Sequence, residues 1–169
     1  MMTIRLLAAG LLLLIVGCTS PQVANMGQLA LEAKIADAFI SSGAAPDVVM
    51  SITLTQVEFD ALDRALDTYF AFRDKWSGLQ GDPGALAASL VSLRSDYAGL
   101  YAGYTEVMQI TLNHWDEYSP AQQRQLEGLH AQAGSIHIKA GALFASGQRA
   151  QTIHTALEIG LVLAKAAAL

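Results

Sequence analysis

Leu86 to Pro120 reads LAASLVSLRSDYAGLYAGYTEVMQITLNHWDEYSP, and the spacing of its apolar residues decides the fold. Leu86, Leu90, Leu93, Tyr97, Leu100, Tyr104, Val107, Thr111 and His114 follow one another in alternating steps of three and four. Such a seam belongs to a helix packed along one side, since a half-buried strand would alternate every second residue. Asp82-Pro83 supplies the start, a capping residue followed by proline at the first helical position. The helix is therefore expected to run to about Glu117, roughly 50 Å at 1.5 Å per residue. Ser119-Pro120 repeats the device, and Gln122 completes a capping box. Two long helices joined by about two residues are expected to lie antiparallel and adjacent.

Upstream, Thr55-Gln56-Val57-Glu58 reads as another capping box. The helix behind it carries Phe59, Leu62, Leu66, Tyr69, Arg73 and Trp76 at heptad spacing, with Phe70 and Phe72 broadening the apolar face. Asp60 and Arg64 form an attractive i,i+4 pair on its surface, Asp63 and Asp67 a repulsive one. Gly78 to Gly81 ends it. A first helix is expected from about Val23 to Ser42, on a face of Met26, Leu29, Ala33, Ala36, Phe39 and Ile40, with Gly43 and Pro46 as its stop. Asp47 to Leu54 is rich in β-branched residues but has no partner strand, so it reads as an extended connector.

Downstream, Leu126, Leu129, Ala133, Ile136, Ala140, Leu143, Gly147, Ala150, His154, Leu157, Leu161 and Ala164 keep heptad spacing almost to Leu169. This reads as one long last helix, with Gly141 or Gly147 as places where it could break. From Ala131 onward its charges are Lys139, Arg149, Glu158 and Lys165. Ala131, Gly134, Gly141, Ala142 and Ala145 are small enough for close packing on Gly99 and Gly103 or on another subunit. The stretch from Ala156 to Leu169 is expected to overhang the bundle, against membrane or another subunit. The fold class is all-α: an elongated antiparallel bundle of about four helices, forming a single domain over residues 26–169.

Composition supports a packed core. Of 169 residues 53% are apolar and 15% charged, against about 25% charged in typical globular chains. The net charge of −5 and the lack of any basic run argue against a nucleic-acid partner and against electrostatic attachment to anionic lipid. A single cysteine leaves no intramolecular disulfide and no cysteine-based zinc cage.

That cysteine closes the run Leu11-Leu12-Leu13-Leu14-Ile15-Val16-Gly17-Cys18. Arg5 provides a positive n-region and Leu6 to Val16 an apolar h-region, about half the roughly 20 residues that a membrane span needs. Ile15-Val16-Gly17-Cys18 resembles the lipobox of bacterial lipoproteins. The resemblance implies that residues 1–17 are a signal peptide cleaved after Gly17, and that Cys18 is the lipidation site. Its sulfur would carry a diacylglyceryl group and its new amine a further acyl chain. Without Arg5 the mature chain would carry a net charge of about −6. Residues 18–25 would be a tether reaching about 25 Å. Thr19, where retained lipoproteins of this type usually carry Asp, implies sorting to the outer membrane, facing the periplasm.

Chemistry-bearing candidates are few. Glu127-x-x-His130 is the pair that di-metal bundle proteins use, and folding about residues 118–119 would bring Glu106 towards His130. A second Glu-x-x-His is absent from the sequence, so the pair reads as a solvated helix face and no cofactor is expected. His114 and His154 fall on the seams and read as core or interface histidines with one hydrogen-bond partner. His130 and His137, seven apart, are a weak two-ligand pattern. Tyr97, Tyr101, Tyr104, Trp115 and Tyr118 form an aromatic stripe that reads as core, with a protein interface as the alternative. No Gly-x-Ser-x-Gly, Walker or dinucleotide loop occurs, and Gly99-x-x-x-Gly103 resembles only a helix-packing motif. The expected function is therefore non-enzymatic: a membrane-anchored envelope lipoprotein that binds another envelope protein or itself through helix faces. Two alternatives are a metal-binding bundle using Glu106, Glu127 and His130, and a phage- or prophage-encoded lipoprotein acting in superinfection exclusion or lysis.

Overall fold

A residue that holds φ at 73° reverses the chain, and the architecture follows from it. Gly147 takes this left-handed conformation, and its amide and that of Gln148 close on carbonyls of the preceding turn. The helix ends there as a C-terminal glycine cap requires. The computed structural model describes residues 21–40, 52–79 and 82–169, with backbone alone for residues 21–26, 40 and 87. The expectations for residues 1–17, Cys18, Gly43, Pro46, residues 47–51 and Gly81 lie outside the described residues.

Six helices are described: α1 (Pro21–Ile40), α2 (Gln56–Ser77), α3 (Pro83–Ala87), α4 (Leu90–Asn113), α5 (Pro120–Ser146) and α6 (Arg149–Ala167). A 3₁₀ turn, Trp115–Glu117, joins α4 to α5. No strand occurs among the described residues, and Thr53 to Thr55 has no regular structure, with Ile52 and Leu54 packed on the core. The protein is an all-α helical bundle. Both capping boxes form: the Thr55 hydroxyl accepts from the Glu58 amide while Glu58 accepts from the Thr55 amide, and Ser119 and Gln122 do the same.

Several expectations are corrected. The long last helix breaks at Gly147, one of the two places expected, and the outcome is two helices, because Gly147 caps α5 and sends α6 back along it. Ala156 to Leu169 does not overhang. Ile153, Ala156, Ile159, Leu163 and Ala164 have no exposed surface, and α6 packs against every other described helix. Its poverty in charge is that of a central helix, since each large apolar side chain buried contributes about 1.5–3 kcal/mol. Trp76, Tyr104, Leu66, Leu93, Leu100 and Leu126 close around it.

The helix expected from Pro83 to about Glu117 breaks at Ala88-Ser89, where Ser89 leaves helical geometry and its hydroxyl donates to the carbonyls of Ala85 and Leu86. It ends at Asn113, and the 3₁₀ turn covers the rest. At the other end of the chain, α1 starts at Pro21, so residues 21–25 of the expected tether are helical. Proline's fixed φ suits that first position. Its buried face is Leu31, Ile35, Ala38 and Phe39, while Leu29 and Ala33 are exposed. The expected register shared Phe39 with this one but missed the competing 4/3 spacing.

Contacts fix the directions. Lys34 bridges Asp63 and Asp67, Asp37 meets Arg73, and Gly27 lies on the Phe59 ring, so α1 and α2 run parallel. The repulsive pair Asp63 and Asp67 is thus the seat for a cation from α1. Arg64 with Glu106 and Lys75 with Asp96 set α4 antiparallel to α2. One end of the bundle therefore gathers the starts of α1, α2 and α5 with the finishes of α4 and α6.

Close approach is made by Gly103, as expected but towards α2 rather than the small residues of α5, and by Gly160. Gly103 faces Ala65 of α2, where a Cβ would stand 3.3 Å from the Ala65 Cα. Gly160 lies flat beneath the Tyr69 ring, and a Cβ there would collide with the ring itself. The Gly134 and Gly141 positions open onto free space, and Ala131, Ala142 and Ala145 are exposed. Gly160→Ala is expected to destabilise the domain by about 1–3 kcal/mol, because the buried Tyr69 ring has to move. Gly134→Ala is expected to stabilise it by about 0.5–1 kcal/mol through helix propensity. Urea unfolding of the two variants beside the parent checks the contrast.

Candidate functional site

Four features could carry function: a histidine held by two carboxylates, a tyrosine–histidine ladder, a shallow cleft and an exposed face of α5. The first is built where α4 gives way to the 3₁₀ turn. His114 Nε2 lies 3.1 Å from Glu58 Oε1 and Nδ1 lies 2.6 Å from Glu117 Oε1. Glu58 is fixed by its role as capping residue of α2, accepting from the Thr55 amide and hydroxyl on its other oxygen. These bonds to Thr55, joined by the one from His114, hold the Glu58 carboxyl down at about 2. The bond to Glu117, then that to Glu58, raise His114 above its ordinary 6.5 against the opposing effect of burial. With both ring nitrogens facing carboxylate oxygens, His114 clamps the finish of α4 and the 3₁₀ turn to the start of α2.

The ladder joins α4 to α5. The Tyr97 phenol lies 2.9 Å from His137 Nδ1 and the Tyr104 phenol 3.0 Å from His130 Nδ1. The His137 ring stacks on Tyr101 at 3.8 Å between centroids, and Phe144 meets the edge of Tyr97. Burial, with Tyr101 adding to it, pushes both phenols up to about 12, so they stay protonated. Rungs at 97–137 and 104–130 make α4 and α5 antiparallel, and Arg94 adds a bond to the Phe144 carbonyl. The helices are neighbours, but aromatic rings fill the space between them.

Sequence candidates are thereby placed. Tyr97, Tyr104 and Tyr118 are buried, and Tyr101 and Trp115 pack partly buried against the core. His130 and His137 each serve their own tyrosine and are not brought to a common point. Glu106 meets Arg64 at 3.4 Å rather than His130, because α4 turns that face towards α2. Glu127 is exposed on α5, and among the described residues no group of three or more His, Cys, Asp or Glu lies together as a metal site would require. His154 is not in the core: the reversal at Gly147 puts it in solvent, 3.5 Å from Glu158. His114 has two partners where one was expected. Glu117 was within reach of sequence reasoning, three residues on, but the Glu58 contact spans 56 positions and has no local signal.

The cleft, about 490 Å³, lies between α2 and α6, with Tyr69, Leu157 and Leu161 among its apolar lining and Arg73, Asp74, Ser77, His154 and Glu158 among its polar lining. Arg73 is already paired with Asp37 and Asp74, and His154 with Glu158. Nothing in it converges on a reacting atom.

Among the described residues, nothing packs on the outer face of α5. Gly128, Ala131, Ser135, Ile138, Ala142 and Ala145 form an exposed stripe in alternating steps of three and four, with Ile138 76% exposed. No family model, curated protein or solved structure matches the chain.

The clamp fixes the pH response. His114 has a folded pKa above its ordinary value, so its contribution is complete below about 6.5 and is lost as pH rises through the raised value. Glu58 has a folded value below its ordinary 4.5, so its contribution is complete above that and lost as pH falls towards about 2. The melting temperature is expected to fall as pH rises above about 6.5, and His114→Gln should flatten that limb while leaving the acid limb from Glu58. Thermal melts across pH for both proteins check it.

Proposed function

We propose that this protein is a lipid-anchored envelope protein without catalytic activity, whose helical bundle associates with protein through the outer face of α5. The exposed stripe from Gly128 to Ala145 is the observation that carries the reading. Small residues at heptad spacing allow two helix backbones to approach closely, and an exposed Ile138 at the middle of the stripe has no partner within the bundle. The other charge-poor stretch, α6, is accounted for by the core; this one is not. Anchoring rests on the lipobox resemblance at Cys18, and two acyl chains already hold a protein stably at a bilayer.

A second copy is the partner this face fits best, with another envelope protein as the alternative. Copies anchored in the same leaflet meet side by side, so their α5 helices run parallel. In that register Ile138 meets Ile138, and the small residues above and below it stack against their own counterparts. No charged residue falls on the stripe, so the pairing sets no like charges directly against each other, which would cost association energy. Anchoring also confines the copies to a surface and raises their effective concentration.

The expected outcome is covalent capture at α5. A photocrosslinking residue at Ile138 should give one discrete adduct in cells, a dimer or a dimer-sized hetero-adduct, while the same residue at Val91, equally exposed, should give none. Cys18→Ala should leave the melting temperature unchanged, release the protein from the membrane fraction and weaken the adduct. A monomer by light scattering, together with no adduct at Ile138, overturns the reading.

A further inference from the structure

The parallel course of α1 and α2 places an apolar rim at the end of the bundle from which the chain leads back to Cys18. Five large apolar residues are conspicuously exposed among the described residues: Leu29, Val57, Val91, Leu112 and Ile138. Three of them belong to one end. Val57 sits in the first turn of α2, 77% exposed, and its Cβ is directed towards the helix start and so out of the bundle end. Leu112 closes α4, 55% exposed, and is brought beside α2's first turn by the bond from His114 to Glu58. Leu29 lies about two turns in along α1, level with the second turn of α2, as the contact between Gly27 and Phe59 shows. Trp115 follows in the 3₁₀ turn, partly buried, with its carbonyl held by Gln123. The chain before Pro21, with its apolar run Leu6 to Val16 and Cys18, joins the bundle at this same end.

We propose that this end is a lipid-contacting surface: Val57, Leu112 and Leu29, with Trp115 behind them, rest in the interfacial layer of the bilayer and stand the bundle upright on it. The proposal rests on the reading that Cys18 anchors the chain. Only two residues separate Cys18 from Pro21, so the rim cannot be held far from the bilayer. Tryptophan and aliphatic side chains suit the headgroup boundary, where interfacial elements bury apolar surface to about 5–10 Å. The charges here are Glu58, Asp60, Asp116 and Glu117 against Arg124 and Lys165, so the contact is apolar and favours zwitterionic over anionic headgroups. An upright bundle also turns α5's outer face sideways, towards neighbours in the same leaflet. No described helix is long and apolar enough to cross a membrane, so the rim rests on the surface.

The full-length lipidated protein in phosphatidylcholine vesicles tests this. Val57→Cys, Leu112→Cys and Val91→Cys variants each carry an environment-sensitive fluorophore, and the vesicles contain headgroup-proximal nitroxide lipid. Labels at 57 and 112 should be quenched several-fold more than the label at 91, which lies at the opposite end, and phosphatidylglycerol should reduce the difference. Circular dichroism confirms that each labelled variant is folded. Protein that floats with the vesicles but is quenched equally at all three positions overturns this proposal and leaves the anchor standing. Protein that fails to float overturns the anchor and this proposal with it.

Discussion

A bundle of amphipathic helices needs something to fill its middle, and here that is a single helix reached by one reversal of the chain. Without the left-handed residue at Gly147, α5 and α6 would be one rod more than twice the length of α2, its apolar last third in water. With it, α6 turns inward and every other described helix acquires an apolar surface to lie on. Tyr69 marks how closely the partners approach, since its ring lies against the bare backbone of Gly160. The Ala-rich composition of α6, with its single Gly160, follows from the same requirement. A helix crowded from all sides has little room for side chains, and residues such as Ala156, Gly160, Ala164 and Ala166 allow α2, α4 and α5 to close on it.

Polar groups fasten the outer helices to one another. His114 links the finish of α4 to the capping box of α2, the tyrosine–histidine ladder spaces α4 from α5, and Lys34 pins α1 over Asp63 and Asp67. Each ties two elements together. That arrangement suits a scaffold that presents surfaces. The two proposed contact surfaces, the outer stripe of α5 and the apolar rim where α1 begins, lie on different parts of the molecule. The two are perpendicular, one along the bundle and one across its end, so occupation of one leaves the other free.

Much of this was legible in the chain. Both capping boxes, the antiparallel joint at Ser119-Pro120, the seam from Leu62 to Trp76 and the burial of the tyrosine stripe followed from spacing and cap chemistry, because these are local rules acting within one or two turns. The metal reading of Glu127 and His130 weakened for a reason the chain could not supply: Glu106 faces Arg64 on α2, a pairing set by the rotation of α4. The burial of α6 was equally hidden. A charge-poor helix is as consistent with an overhang as with a core, and only the direction taken after Gly147 separates them.

What the sequence determined by itself was therefore the helical class, the positions of the caps, and the apolar faces of α2 and α4, where propensity, periodicity and capping agree over short range. Tertiary structure decided which helix became the core, which of two overlapping registers α1 used, and which histidines met carboxylates, phenols or water. Those outcomes depend on contacts between residues tens of positions apart. Their energies come from packing against surfaces that exist only once the other helices are in place, and no local pattern encodes them.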